Sequence, residues 1–147
     1  MTAQADEPQL RPRRQLPHPS PESQPFWDGC AHHELLIQRC QPHGHYWFPP
    51  ASICPRCWSA DFTWTPVSGR GEIFTFTVYR RAYAPELVGQ LPYAVGIVEL
   101  AEGPRLITNI VDCAPEDIFV GLPVEVVFDD LADGVTLHAF RPRGDQH

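Results

Sequence analysis

A chain of 147 residues, 43% hydrophobic and 20% charged, has the length and balance of one folded soluble domain with small appendages. Its net charge of −7 resides in the folded part, because Asp6, Glu7 and Glu22 offset Arg11, Arg13 and Arg14 near the N-terminus. An acidic body repels phosphate backbones, and no apolar run is long enough to span a bilayer or serve as a leader, so neither nucleic acid nor membrane is an expected partner and a cytoplasmic location is expected.

Residues 1–22 are polar and interrupted by Pro8, Pro12, Pro17, Pro19 and Pro21, which predicts a tail that is disordered or ordered by a partner. Pro25 suits a helix start, and Phe26, Trp27 and Cys30 follow at near-helical spacing, so a short helix is expected there, then a strand over 35–39. Residues 40–57 are rich in Pro and Gly and read as two tight turns around a short strand at 46–48. Beyond them, β-branched or aromatic runs at 62–65, 71–81, 93–100, 105–111, 124–128 and 135–140 predict strands, with one helical turn within 114–121. In the second run, Ile73, Thr75, Thr77 and Tyr79 alternate with Phe74, Phe76 and Val78, the pattern of a half-buried strand. The predicted fold class is all-β: a short helix and a metal ribbon, then a five-stranded OB-type barrel.

The segment that carries chemistry is Cys40-x2-His43-x10-Cys54-x2-Cys57. Two ligands separated by two residues grip one ion from a single turn, and two such turns complete a tetrahedral zinc site. Gly44 supplies the positive φ that a residue following such a turn often needs, whereas Trp58 stands at the matching place in the second turn. His45 is a rival to His43 as ligand. Four protein ligands leave no open position for water, so the predicted Zn2+ is structural, and no catalytic residue is expected.

Other features have plainer readings. His32, His33 and Glu34 are expected on the surface of a strand, and the isolated Cys30 and Cys113 in buried packing. Asp129 and Asp130 read as solvated residues of a hairpin loop near Gly134. The rings Trp27, Tyr46, Trp47, Phe48, Trp58, Phe62 and Trp64 exceed what a small ribbon buries alone, which points to a contact surface.

The run QRCxxHGxYWFPPxxxCPRC, then WxPVSGRGEIFTFTV, then PYAVGIVEL with EGPRLITNIV, resembles the family known as domain of unknown function 35. The resemblance covers residues 23–142. It implies a helix and rubredoxin-like zinc ribbon over 23–64, an OB-fold domain over 65–142 and a short tail over 143–147. It further implies a non-catalytic partner of a thiolase-like or lipid-transfer-protein-like subunit. That subunit is an aldolase, as in steroid side-chain cleavage, or a thiolase or acyltransferase. By the same resemblance the small chain is expected to stabilise it and to help form an acyl-CoA site at the shared interface. Two departures stand out: His43 replaces the family's usual second cysteine, and Ala51 replaces the arginine after the double proline. If that arginine meets CoA phosphates in relatives, Arg56, Arg70 and Arg80 are the replacements to consider. The competing expectation is a stand-alone OB-fold module that binds acyl-CoA or single-stranded nucleic acid.

Overall fold

A computed structural model describes residues 17–81, 89, 91–131 and 134–144, so most of the expected N-terminal tail lies outside the described residues. Helix α1, Gln24–Ala31, begins behind a Ser20–Ser23 turn with Pro25 in its first positions. It buries Phe26, Gly29 and Cys30, the i, i+3, i+4 stripe of an amphipathic helix. A Cβ at Gly29 would lie 2.8 Å from Leu36 Cγ, so only glycine permits so close an approach between the helix and the strand that follows. The helix closes with the His32 and Glu34 N–H groups on the Gly29 carbonyl and the His33 N–H on that of Cys30. His32, His33 and Glu34 are exposed as expected, but they form this closing turn and not a strand.

The ribbon is a three-stranded antiparallel sheet with β1 (Leu36–Cys40) between β2 (Tyr46–Trp47) and β3 (Phe62–Pro66). The barrel consists of β4 (Arg70–Tyr79), β5 (Tyr93–Leu100), β6 (Arg105–Ile110), β7 (Pro123–Asp130) and β8 (Thr136–Pro142). It closes in the order β4-β5-β6-β8-β7, with β6 and β8 the parallel pair. A 3-10 turn, Pro115–Asp117, leads into β7. The fold is thus all-β with one short helix, as anticipated.

One expectation about β4 changes. A register shift between Ile73 and Thr75 puts Phe74 at a bulge, so Ile73 is buried while Thr75 and Thr77 are exposed. Phe76 and Val78 turn inward instead, because an extra residue inverts every later position of a period-two strand.

The front segment and the barrel share one core. Phe26, Cys30, Leu35 and Ile37 cluster with Val98, Leu106, Val124 and Phe140. Most of the front aromatics are absorbed here: Trp27, Tyr46, Phe48 and Trp64 pack partly buried against this cluster, and Trp47 is buried in a smaller one with Cys40 and Cys54. Of the seven rings, Trp58 alone is bare, at 77% exposure.

Candidate metal centre

Strand β1 delivers Cys40 to the end of the ribbon sheet, where the two turns meet. The turns are built alike. The Gly44 N–H donates to the Cys40 carbonyl at 2.9 Å, and the Trp58 N–H to the Cys54 carbonyl at 2.8 Å. Both closing residues are left-handed, Gly44 at φ 73° and Trp58 at φ 64°. The second turn therefore holds a tryptophan in the conformation that the first gives to glycine, against a steric cost of about 1–2 kcal/mol.

Cys40, His43, His45 and Cys57 each place one ligand atom within 4.8 Å of the other three. Cys54 is not in that mutually close set, although it is fully buried, its sulfur lies 3.8 Å from His45 Nδ1, and it is near enough to bias the thiols of Cys40 and Cys57. The Cys40 and Cys57 sulfurs are 3.9 Å apart, and all five cysteines are free thiols. Tetrahedral zinc with Zn–S bonds of about 2.3 Å separates its sulfurs by about 3.8 Å. The Cys40–Cys57 separation matches that edge, and thiols and imidazoles gathered without a disulfide fit the ion in donor chemistry.

The electrostatics differ from ligand to ligand. Burial opposes the Cys40 thiolate, but the backbone N–H groups of His45 and His43 and the sulfurs of Cys57 and Cys54 outweigh it, holding the thiol below its ordinary value. The N–H facing Cys57 from Ser59 draws that thiol down, yet burial and the adjacent Cys54 and Cys40 sulfurs carry it above its usual value. Burial, with Arg56 and His43 nearby, lowers the His45 pKa and keeps its imidazole neutral, the form that binds metal. The Arg56 N–H donates to Cys54 Sγ at 3.4 Å.

Gln38 is the residue here that the sequence did not single out. It is 2% exposed, its Nε2 donates to the Ala51 carbonyl at 2.7 Å, and its Oε1 accepts the Ala51 N–H at 2.9 Å. That pairing ties β1 to the loop carrying the second turn, and it employs only the backbone of residue 51. The signal was a lone amide within the run LIQRC.

The other singled-out residues are dispersed. Arg56 is exposed on the second turn, while Arg70 and Arg80 lie at and beyond opposite ends of β4. Arg70 lines a cleft of about 580 Å3 with Glu72, Glu99 and Arg143. Cys30 is fully buried and its thiol is pushed up to about 12 by burial. Cys113 is only half-buried, contrary to expectation, because its sulfur sits at the mouth of the loop after β6, 3.6 Å from the Ala114 carbonyl. Asp129 and Asp130 end strand β7 and are not in a loop, since β7 pairs with β8 as far as Asp130↔Thr136.

Comparison with known proteins agrees with this architecture. Residues 27–63 match the ChsH2 rubredoxin-like zinc ribbon domain, and residues 64–129 match the ChsH2 C-terminal OB-fold domain. The chain is 38% identical, over 73% of its length and 79% of the relative's, to a DUF35 domain-containing scaffold protein of Methanocaldococcus jannaschii. It is 36% identical to a probable enoyl-CoA hydratase alpha subunit of Thermomonospora curvata, covering 80% of this chain but 36% of that longer protein. A solved structure described as the Ltp2–ChsH2(DUF35) aldolase matches with a TM-score of 0.78 and 32% identity, covering 86% of this chain and 98% of the matched one.

Proposed function

Because the chain belongs to the DUF35 family of ChsH2-type proteins, which join a rubredoxin-like zinc ribbon to an OB-fold domain, we propose that it is a zinc-stapled scaffold subunit of an acyl-CoA enzyme complex. Its partner in this reading is a thiolase-like or lipid-transfer-protein-like catalytic subunit, an aldolase or a thiolase or acyltransferase. The reacting groups belong to that partner. This chain braces it and contributes part of the wall around the acyl-CoA ester.

The observation that carries the reading is the match to the DUF35 chain of an aldolase, which spans both the ribbon and the barrel. Trp58 supports it independently. A large ring held 77% exposed in a left-handed backbone conformation is costly in an isolated chain, and covering it by a partner offsets that cost. Ile53, 44% exposed on the loop leading into the same turn, extends the apolar surface.

The thiols of Cys40, Cys54 and Cys57, with an imidazole of the His43 and His45 pair, would hold zinc. Bound there, the ion supplies folding free energy by cross-linking two turns that lack a hydrogen-bonded ladder of their own. Gln38 aligns the second turn, and Trp47 with Phe62 shields the cluster from water.

Co-expression with a thiolase-like subunit encoded nearby, followed by co-purification and sizing, tests the proposal. A stable hetero-complex is the expected result. A chain that stays apart from that subunit yet binds acyl-CoA by itself overturns the scaffold reading in favour of a stand-alone module.

A further inference from the structure

The ribbon offers five donors to an ion that takes four, and the surplus lies between His43 and His45. Their rings stack with centroids 5.4 Å apart and planes 15° from parallel, so they approach the sulfurs side by side. The matching spacing of the two turns favours His43. Three observations favour His45. It is the histidine placed 3.8 Å from the sulfur of Cys54, close to the nitrogen–sulfur edge of about 3.6 Å in tetrahedral zinc. Its backbone is fastened to Cys40 twice, with its carbonyl accepting the Cys40 N–H at 2.9 Å and its N–H donating to Cys40 Sγ at 3.3 Å. It is also half-buried, whereas His43 is exposed at the rim.

The set that contains the three cysteines of the two turns and the histidine in contact with Cys54 is Cys40, His45, Cys54 and Cys57. We propose that His45, two residues beyond the regular ligand spacing, supplies the fourth donor through Nδ1, and that His43 lies over it as an outer, positioning imidazole. Gly44 makes this reach possible, since its left-handed turn brings the backbone of residue 45 back onto Cys40. The inference rests on the reading that the ribbon holds zinc, and it specifies a coordination spacing of Cys40-x4-His45.

The test uses the full chain loaded with Zn2+ or Co2+. Metal analysis of the unaltered chain comes first: about one ion per chain sustains the zinc reading, and a metal-free folded chain ends that reading before the histidines are compared. Given a loaded site, His45→Asn lowers zinc affinity more than about 100-fold, while His43→Asn lowers it by no more than about 10–100-fold, the range for a group outside the ligand shell. Should His45→Asn fail to fold, the cysteine variants decide. His45→Cys raises the thiolate-to-cobalt charge-transfer absorption from a three-thiolate to a four-thiolate intensity, and His43→Cys leaves it at three. The reverse pattern overturns the proposal. So does retention of metal by both single asparagine variants with loss only in the double variant, because the two histidines would then share the position.

Discussion

His33 and Asp130, 97 residues apart in the chain, meet in a forked contact, with His33 Nε2 3.0 Å and 3.1 Å from the two carboxylate oxygens. The His33 ring also stacks on Phe128, with centroids 5.2 Å apart. The closing turn of α1 is thereby clipped to β7, and the front segment is held against the barrel. A Thr136 hydroxyl donating at 2.7 Å and the His33 contact outweigh burial and hold the Asp130 carboxyl below its ordinary value. A carboxylate shifted downward stabilises the fold above the ordinary carboxylate pKa of about 4, and that contribution disappears as pH falls through the folded value. Asp130→Asn should therefore lower the urea midpoint at pH 7, with the gap to the unaltered chain closing below about pH 4. A gap that persists unchanged at pH 3 contradicts this account.

His138 gives a second, separate pH window. It lies under Phe26 and Trp27, with Nδ1 3.1 Å from the Thr108 hydroxyl, and burial lowers its pKa from 6.5 to about 4. The folded chain keeps this imidazole neutral while the unfolded chain protonates it below about 6.5. Stability is therefore complete above about pH 6.5 and declines toward pH 4, by roughly 3 kcal/mol in all. His138→Gln should flatten that part of the stability curve relative to the unaltered chain. Ring titration by NMR measures the pKa directly, and a value near 6.5 would exclude the mechanism.

Phe26 is 2% exposed and touches Trp27, Phe48 and His138 with ring centroids 5.0–5.5 Å away. Phe26→Ala should cost about 3–5 kcal/mol in denaturant unfolding, the usual range for a fully buried phenylalanine. It should also admit water beside His138 and move that pKa back toward 6.5. Loss of stability with the His138 titration unmoved would show that the helix does not shield it.

Trp58 separates stability from assembly. Trp58→Gly removes the left-handed strain, so the isolated chain should melt no lower than the original, while on the proposed scaffold reading its affinity for a thiolase-like partner falls by more than about tenfold, as when an interface anchor is lost. Calorimetry of the chain and titration with the partner report the two effects. An unchanged affinity would remove Trp58 from the interface.

If zinc staples the ribbon as proposed, its two turns need the ion more than the barrel does. Cys54→Ser and Cys57→Ser, or chelation of the metal, should abolish assembly while β-sheet circular dichroism from the barrel partly survives, because the barrel closes through its own strand pairs. Undiminished assembly by either variant would show that zinc does not organise the docking surface.

Local physics was legible before any coordinates. The runs at 93–100 and 105–111 needed only β-branched alternation, and the barrel followed from their number and spacing. Cys40, His43 and Cys57 stood out as well, because thiol and imidazole pairs in a Pro/Gly-rich stretch have few other sources of order, and they lie within 4.8 Å of one another together with His45, the rival ligand. The β4 alternation was misread because a bulge depends on the partner strand, and a one-residue insertion leaves no trace in composition. Asp130 looked like a loop residue because its partner, His33, comes from the opposite end of the chain. Trp27, Tyr46, Phe48 and Trp64 looked like a surface because the barrel part of the core that covers them is remote in sequence.

The amino-acid order by itself determined the elements, the fold class and the family of donors, since these depend on neighbours within a few residues. The tertiary structure alone decided which ring is bare, which acid is clipped and which imidazole faces Cys54. Those outcomes depend on distances between segments that only the closed barrel and the paired turns bring together.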